Sequence, residues 1–223
     1  MRRLLLVFLL FASCLSSAPP KEPNDREWNQ LMKEYAWIES LRKAQPVPPP
    51  TASRKQRIEA TLENHRKLET VYVAFVDKVK EYHDRTRDLR AAGLLAREKV
   101  IMGDEYMNLL SRYDKALEFY RAALQLDPGN ADIAQRVALA EGRRYVSMSA
   151  FATVKIGMKE DEVRAIVGLP REDWIKQVVQ NGRVYSVWIY PKADGGASAI
   201  YFDNGVVYHT NWNAAAPPPP AAR

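Results

Sequence analysis

The chain has 223 residues, of which 47% are hydrophobic and 27% are charged, so it is long enough to bury a core in one or two domains. Its formal net charge of +6 falls to +4 if residues 1–13 are removed, because Arg2 and Arg3 go with them and no acidic residue does. The remaining basic residues are spread along the chain and form no single block, which argues against a nucleic-acid partner.

The first 13 residues have the layout of a secretory signal peptide. Arg2 and Arg3 are followed by the apolar run 4–11 and then by small residues. This run is about half as long as the roughly 20 apolar residues that a membrane-spanning helix needs. We therefore expect a cleaved signal peptide over residues 1–13 and not a membrane span.

Cys14, the only cysteine, directly follows this segment and has no partner for an intramolecular disulfide. The run from Phe11 to Cys14 resembles a bacterial lipoprotein lipobox, with Phe11 where leucine is usual. The resemblance implies acylation of Cys14 and attachment to a membrane through several acyl chains. Leu15 replaces the aspartate that would indicate the inner membrane, so the analogy implies the outer membrane. The alternative is a plain secreted protein in which Cys14 is incidental.

A tether and then a helical region are predicted after the cysteine. Residues 14–23 contain three prolines and are expected to be extended. The helical region covers residues 24–144. Its first helix spans residues 25–43, with Asn24 or Asp25 as the cap, and a proline-rich run follows it.

The second helix is predicted to be longer and to begin after Thr51 or Ser53. It carries residues three or four apart that form a seam: His65, Leu68, Tyr72, Phe75, Val79, Tyr82, Thr86 and Leu89. An intrachain helix pair and a coiled coil both fit this seam, and the aromatic and polar members favour the helix pair.

Residues 97–130 resemble one tetratricopeptide repeat, which consists of two antiparallel helices. In this resemblance residues 97–110 form the first helix, Ala116 and Ala123 are small contact residues, Tyr120 fills the gap, and Pro128 ends the second helix. A following helix is predicted from a cap at Asn130 and the spacing of Ile133, Val137 and Ala140. One repeat cannot bury both of its faces, so we expect the helices of residues 25–92 to pack against it.

The C-terminal part is predicted to be a short helix followed by an antiparallel sheet of three or four strands. Acidic residues 160–162 fit a first helical turn, Val163, Ile166 and Val167 fit its buried edge, and Gly168 with Pro170 fits its end. Two Asn-Gly pairs, at 181–182 and 204–205, then predict hairpins. The predicted strands span residues 174–179, 184–190, 197–202 and 206–212, and one face of the sheet is expected to be covered by helix.

The same segment resembles the SmpA/OmlA (BamE-like) family of small outer-membrane lipoproteins over residues 145–213. The resemblance is carried by Gly157, Met158, Val163, Gly168 and Pro170, followed by Trp188, Tyr190, Phe202, Gly205 and Val207. It implies a helix pair on a three-stranded antiparallel sheet and a role in outer-membrane assembly or maintenance. The chain departs from the family in two ways: Lys159 replaces the usual Ser or Thr cap, and a long helical region precedes the domain.

No constellation of catalytic or metal-binding residues is visible in the sequence. His65, His83 and His209 lie in three separate segments without metal-ligand spacing, and no phosphate-binding loop or nucleophile motif is present. We expect no enzyme activity, no metal and no cofactor.

The expected fold class is therefore α+β, with a helical region before a helix-on-sheet domain and a Pro/Ala tail over residues 214–223. Tyr208 and Trp212 are the candidate partner contacts, because exposed aromatic residues dominate interface hot spots and polar Asn211 and Asn213 flank Trp212. The alternative is that both rings pack on the helices. The expected function is a lipid-anchored docking module for envelope proteins. The alternative is an inhibitor or sequestering module for a periplasmic or extracellular enzyme. The oligomeric state is left open.

Overall fold

In the part of the chain that this computed structural model describes, residues 21–215, seven α-helices precede a four-stranded antiparallel sheet. The helices are α1 Asp25–Lys43, α2 Arg54–Thr86, α3 Leu89–Asn108, α4 Tyr113–Leu126, α5 Ala131–Arg144, α6 Met148–Thr153 and α7 Glu160–Val167. A short 3₁₀ turn, Glu172–Trp174, leads to β1 Ile175–Gln180, β2 Arg183–Pro191, β3 Ala197–Asp203 and β4 Val206–Ala214. The predicted α+β class is confirmed. The signal peptide, Cys14 and most of the predicted tether and tail lie outside the described residues.

Helices α1 and α2 begin where the sequence predicts. The Asn24 side chain accepts hydrogen bonds from the first turn of α1, and Ser53 and Gln56 form a capping box at the start of α2. The C-terminal half of the predicted seam is buried against α1 and α3, which confirms an intrachain helix packing there. The seam ends earlier than expected, because Arg87 adopts a positive φ of 57° and Leu89 lies in α3 with its side chain 84% exposed.

Helices α3 and α4 pack closely, and this packing depends on a glycine. A Cβ at Gly103 would lie 2.4 Å from Cε1 of Tyr120, closer than two carbon atoms can approach. Ala116, Ala123 and Tyr120 are buried as predicted, and Asn130 caps α5. The first helix of this unit begins at Leu89 and not near residue 97, because Asp88 caps it from the preceding turn. Its other side buries Leu94 and Leu95 against α1 and α2, as expected for neighbouring helices.

The sheet has the strand order β1-β2-β3-β4, and both predicted hairpins are present. The four residues of the Asn181–Gly182 and Asn204–Gly205 turns all have positive φ, as a type I′ turn requires. Strand bounds differ from the prediction by one or two residues. Trp174 belongs to the 3₁₀ turn, and β4 continues to Ala214, where the tail was expected to start.

One face of the sheet packs on α6 and α7. Phe151 and Val163 from these helices meet Trp188, Ile200 and Phe202 from the sheet in one buried cluster. The prediction was wrong for Ile166, which is 36% exposed, whereas Val163 is fully buried. Lys159 precedes α7 where a Ser or Thr cap would be usual, and its backbone N–H donates to the side chain of Glu162 at 2.7 Å.

Candidate functional site

The motif residues Gly157 and Met158 attach the link between α6 and α7 to the start of β4. The N–H of Gly157 donates to the carbonyl of Val207 at 2.8 Å, and the N–H of Val207 donates to the carbonyl of Met158 at 2.8 Å. Gly157 has φ +92°, a region that side chains disfavour. These two residues therefore hold β4 on the helix pair and act in folding.

Gly168 and Pro170 form the joint between the sheet and the helical region. Gly168 has φ 78° and ψ −175°, a combination open almost only to glycine, whereas a left-handed helical stop was expected. Its carbonyl accepts from the Tyr190 hydroxyl at 3.0 Å, and the Pro170 carbonyl accepts from Arg54 of α2 at 3.1 Å. The Tyr113 hydroxyl of α4 donates to the carbonyl of the residue between them at 2.9 Å. Together with Val163, which is fully buried in the core, these motif residues have structural roles.

Within the described residues, no helix packs on the second face of the sheet. Strand register places Val178, Tyr185, Val187, Ile189, Tyr201 and Tyr208 on this side, opposite α6 and α7, and we call this set the open face. Val178 and Tyr208 are 61% and 48% exposed, and the other four are partly buried by one another and their neighbours. The Tyr208 ring lies 6.1 Å from the Tyr201 ring and 6.4 Å from the Tyr185 ring. The result is an aromatic and aliphatic surface on one side of the sheet.

A β-bulge at Tyr208 changes the side-chain alternation of β4. Phe202 pairs with Val207 and Tyr201 pairs with His209, so Tyr208 is an extra residue between two regular pairs. Val207 points into the core, so ordinary alternation already directs Tyr208 to the open face. The bulge shifts the residues that follow, which places His209 on the open face and Trp212 on the core side. Sequence alternation alone does not reveal this extra residue.

The two predicted contact residues lie on opposite sides of the sheet. Trp212 is half-buried and packs edge-on against Phe151 of α6, with ring centroids 5.3 Å apart, while the ammonium of Lys192 lies 4.9 Å above its ring. The Trp212 ring is therefore part of the packing between the sheet and α6. Tyr208 keeps the exposure that a partner contact needs, and its neighbours are Tyr185 and Tyr201, which the sequence reasoning did not select.

A second concave surface lies in the helical region, beyond the end of α1. Because α2 has 33 residues and α1 has 19, about 20 Å of α2 extends past α1. A groove of about 680 Å³ runs there between α2 and α3, and its apolar lining includes Leu62, Val73, Ile101 and Met102. This groove uses the N-terminal half of the predicted seam, which therefore stays partly exposed.

The charged groups beside the groove are paired with one another. Glu98, whose side chain is only 4% exposed, accepts from Arg42 at 2.6 Å and from the hydroxyls of Tyr35 and Tyr72 at 2.9 Å each. Burial alone would raise the pKa of Glu98, but the hydrogen bonds from Arg42 and the two tyrosines outweigh it and hold the pKa below its usual range. This network fastens α1, α2 and α3 together where the groove begins.

Two of the three histidines, His65 and His83, lie on the same helix, α2, and His209 lies on β4. His65 lies 3.1 Å from Glu105 at the groove, and this hydrogen bond raises the pKa of His65 above its ordinary value. His83 lies beside Asp84 on α2. The ring of His209, on β4, lies 5.2 Å from the ring of Tyr201, on β3. Within residues 21–215, no group of three or more His, Cys, Asp or Glu side chains is arranged to hold a metal ion. None of the described helices combines the length and the apolar character needed to cross a membrane.

Comparison with known proteins gives no assignment: no family model, no curated protein and no solved structure matches this chain.

Proposed function

We propose that the protein is a lipid-anchored bacterial envelope protein that acts as a non-enzymatic docking module. The observation that carries the docking role is the open face of the sheet. Its tyrosines and aliphatic residues form an apolar patch that Lys176, Asp203 and His209 border on the same face, and exposed apolar patches with a polar rim mark interaction sites. Tyrosine is also among the residues most enriched in interface hot spots.

The anchoring part of the proposal rests on the lipobox-like segment that ends at Cys14. Acylation there would tether the helical region and the sheet to a membrane surface, and the likeness to outer-membrane lipoproteins favours the outer membrane. Labelled palmitate tests this part. We expect label in the wild-type protein and none in Cys14→Ser, and label that persists in Cys14→Ser would overturn the anchor.

The family relationships belong to the same proposal. A helix pair, α6 and α7, on an antiparallel sheet is the arrangement that the SmpA/OmlA-like pattern implies, although here the sheet has four strands instead of three. The close packing of Gly103 on Tyr120 supports a repeat-like helix pair in α3 and α4. We propose both as likenesses of architecture, with envelope proteins as the partners.

The docking role is tested by charging the open face. We expect Tyr208→Asp to abolish co-purification of envelope proteins with the anchored chain, because a carboxylate placed among Tyr185 and Tyr201 must be desolvated on binding. Leu139→Asp on α5 is the matched control, since Leu139 is 49% exposed and lies outside the sheet. Equal recovery of partners with both variants would contradict docking through the open face. Recovery of a single soluble enzyme, inhibited in a stoichiometric complex, would replace this function with that of an inhibitor.

A further inference from the structure

The two edge strands of the sheet, β1 and β4, differ in whether other backbone pairs with their outer side. The β4 edge is occupied: the backbone of Val207 exchanges hydrogen bonds with Gly157 and Met158, and a bulge interrupts the strand at Tyr208. Among the described residues, the β1 edge has neither a hydrogen-bonded neighbouring segment nor a bulge. Its pairing with β2 is regular from Ile175 to Gln180, and every residue of β1 after Ile175 is exposed.

Strand register shows which backbone groups of β1 remain open. The carbonyl of Val184 accepts from the N–H of Asn204 at 2.8 Å, so Val184 directs its backbone groups to β3 and not to β1. Val179, opposite Val184, is therefore at a position that does not hydrogen-bond to β2, and Gln177 is at the next such position. The N–H and C=O of these two residues point away from the sheet, and no backbone or side-chain partner meets them within the described residues.

Such an edge is a template for another strand. Natural proteins protect edges with prolines, bulges, short strands or charges, and β1 has a single charge, Lys176, and no proline. Val178 and Val179, at 61% and 69% exposure, add apolar side chains on both faces of the strand. The Pro-rich tail is a poor occupant, since proline cannot donate to a strand ladder.

We propose that β1 pairs antiparallel with β1 of a second copy of this chain, giving a two-fold dimer with a continuous eight-stranded sheet. Lys176 disfavours one of the two neighbouring registers, and its contact with Val178 of the second copy favours Gln177 opposite Gln177 over the other. Pairing Gln177 with Gln177 of the second copy joins the open backbone groups and sets Lys176 opposite Val178 of the second copy. A shift of two residues in one direction would oppose the two lysines, which like-charge repulsion disfavours.

This register is complementary on the open face. In the dimer the aliphatic stem of Lys176 covers the exposed Val178 of the second copy. Its ammonium, which donates to the carbonyl of Asp173 at 2.9 Å in the single chain, turns towards the ring of Tyr185 of the second copy, which neighbours Val178. Two six-residue strands bury less surface than a standard stable interface, so the dimer is weak and depends on concentration. The dimer does not require the lipid anchor, although attachment of two copies to one membrane would raise their effective concentration.

Single-cysteine crosslinking tests the register in the full chain. Cys14→Ser removes the native thiol, and Gln177→Cys then places two thiols on residues whose Cα atoms are about 5.5 Å apart, within disulfide range. Lys176→Cys in the same background is the matched control, because its two Cα atoms would be about 8 Å apart, beyond that range. We expect a disulfide-linked dimer from Gln177→Cys and little from Lys176→Cys. No dimer from Gln177→Cys, or equal yields from both variants, would overturn the proposal.

A charge test separates this dimer from general apolar association. Val178→Asp places a carboxylate opposite Lys176 of the second copy, twice per dimer, so we expect about 2- to 30-fold tighter dimerisation by sedimentation. Val178→Asn is the uncharged control and should not tighten the dimer. If Val178→Asp weakens association, the register is wrong. Since both measurements use the unlipidated Cys14→Ser chain, neither depends on the anchor or on the docking role of the open face.

Discussion

Replacing Gly103 with alanine tests the packing of α3 on α4. The new Cβ would lie 2.4 Å from Cε1 and 2.6 Å from Cδ1 of Tyr120, whose ring is buried and whose hydroxyl donates to Asp104 at 2.7 Å. The ring is held by its buried packing and by the hydrogen bond of its hydroxyl, so the clash can be relieved only by a shift of the two helices. Overpacking of this kind costs about 1 to 3 kcal/mol. Alanine in the helix also stabilises the folded state by about 0.5 to 1 kcal/mol relative to glycine. The expected net loss for Gly103→Ala is therefore about 0 to 2.5 kcal/mol.

Gly93→Ala is the matched control, because Gly93 lies in the same helix and a Cβ there meets no atom within 4 Å. The helix-propensity gain is shared, so the difference in unfolding free energy between the variants isolates the contact with Tyr120. We expect Gly93→Ala to be more stable than Gly103→Ala by about 1 to 3 kcal/mol in urea unfolding followed by circular dichroism. Equal stabilities would refute the close packing. In a Tyr120→Leu background the difference should shrink.

Three further predictions concern the site and its supports. Glu98→Gln breaks a buried ion pair and is expected to cost about 3 to 5 kcal/mol. The pKa of Glu98 is lowered in the folded state, so the stability that its carboxylate provides is present above its ordinary pKa of 4.5 and is lost as the pH falls below 4.5. In that pH range the unfolding free energy of Glu98→Gln should therefore vary less with pH than that of the wild type. An NMR titration of His65 should give a pKa above 6.5, and in Glu105→Gln this pKa should return towards 6.5. If the pKa of His65 does not change in Glu105→Gln, the hydrogen bond to Glu105 is not what raises it. Gly168→Ala should cost about 1 to 3 kcal/mol in urea unfolding, whereas Gly142→Ala, with open space in α5, should not destabilise.

Local signals in the sequence predict most of the helical boundaries. Asn24, Ser53 and Asn130 cap helices because their side chains accept hydrogen bonds from the first turn, and these contacts involve residues two or three positions away. The end of α2 was missed because Arg87 takes a positive φ, which an arginine rarely adopts and no sequence rule for glycine or proline signals. The long seam therefore looked continuous through Leu89.

The sheet was predicted from its turns, and the candidate contacts were not fully predicted. Asn-Gly pairs fix both hairpins because both residues tolerate positive φ. The position of Trp212 depends on a bulge, which shifts the alternation of side chains after Tyr208 and leaves no local signature. Tyr185 could have been selected by parity, since it lies on the same face as Val178 across the first hairpin.

The buried network around Glu98 was also missed, for a physical reason that applies widely. Glu98 looks like a surface charge in an amphipathic helix, and only the tertiary arrangement brings Arg42, Tyr35 and Tyr72 to it. Contacts between residues this far apart in the chain carry no short-range pattern. The same holds for the groove, which exists because α2 extends past the end of α1.

Photo-crosslinking in intact cells tests the docking role most directly. A photoreactive phenylalanine analogue at Tyr208 projects from the open face, whereas the same group at Trp212 lies against Phe151 in the core. Docking through the open face predicts discrete crosslinks to envelope proteins from position 208 and none from position 212. Absence of crosslinks at position 208 in a correctly folded, membrane-associated chain would contradict it.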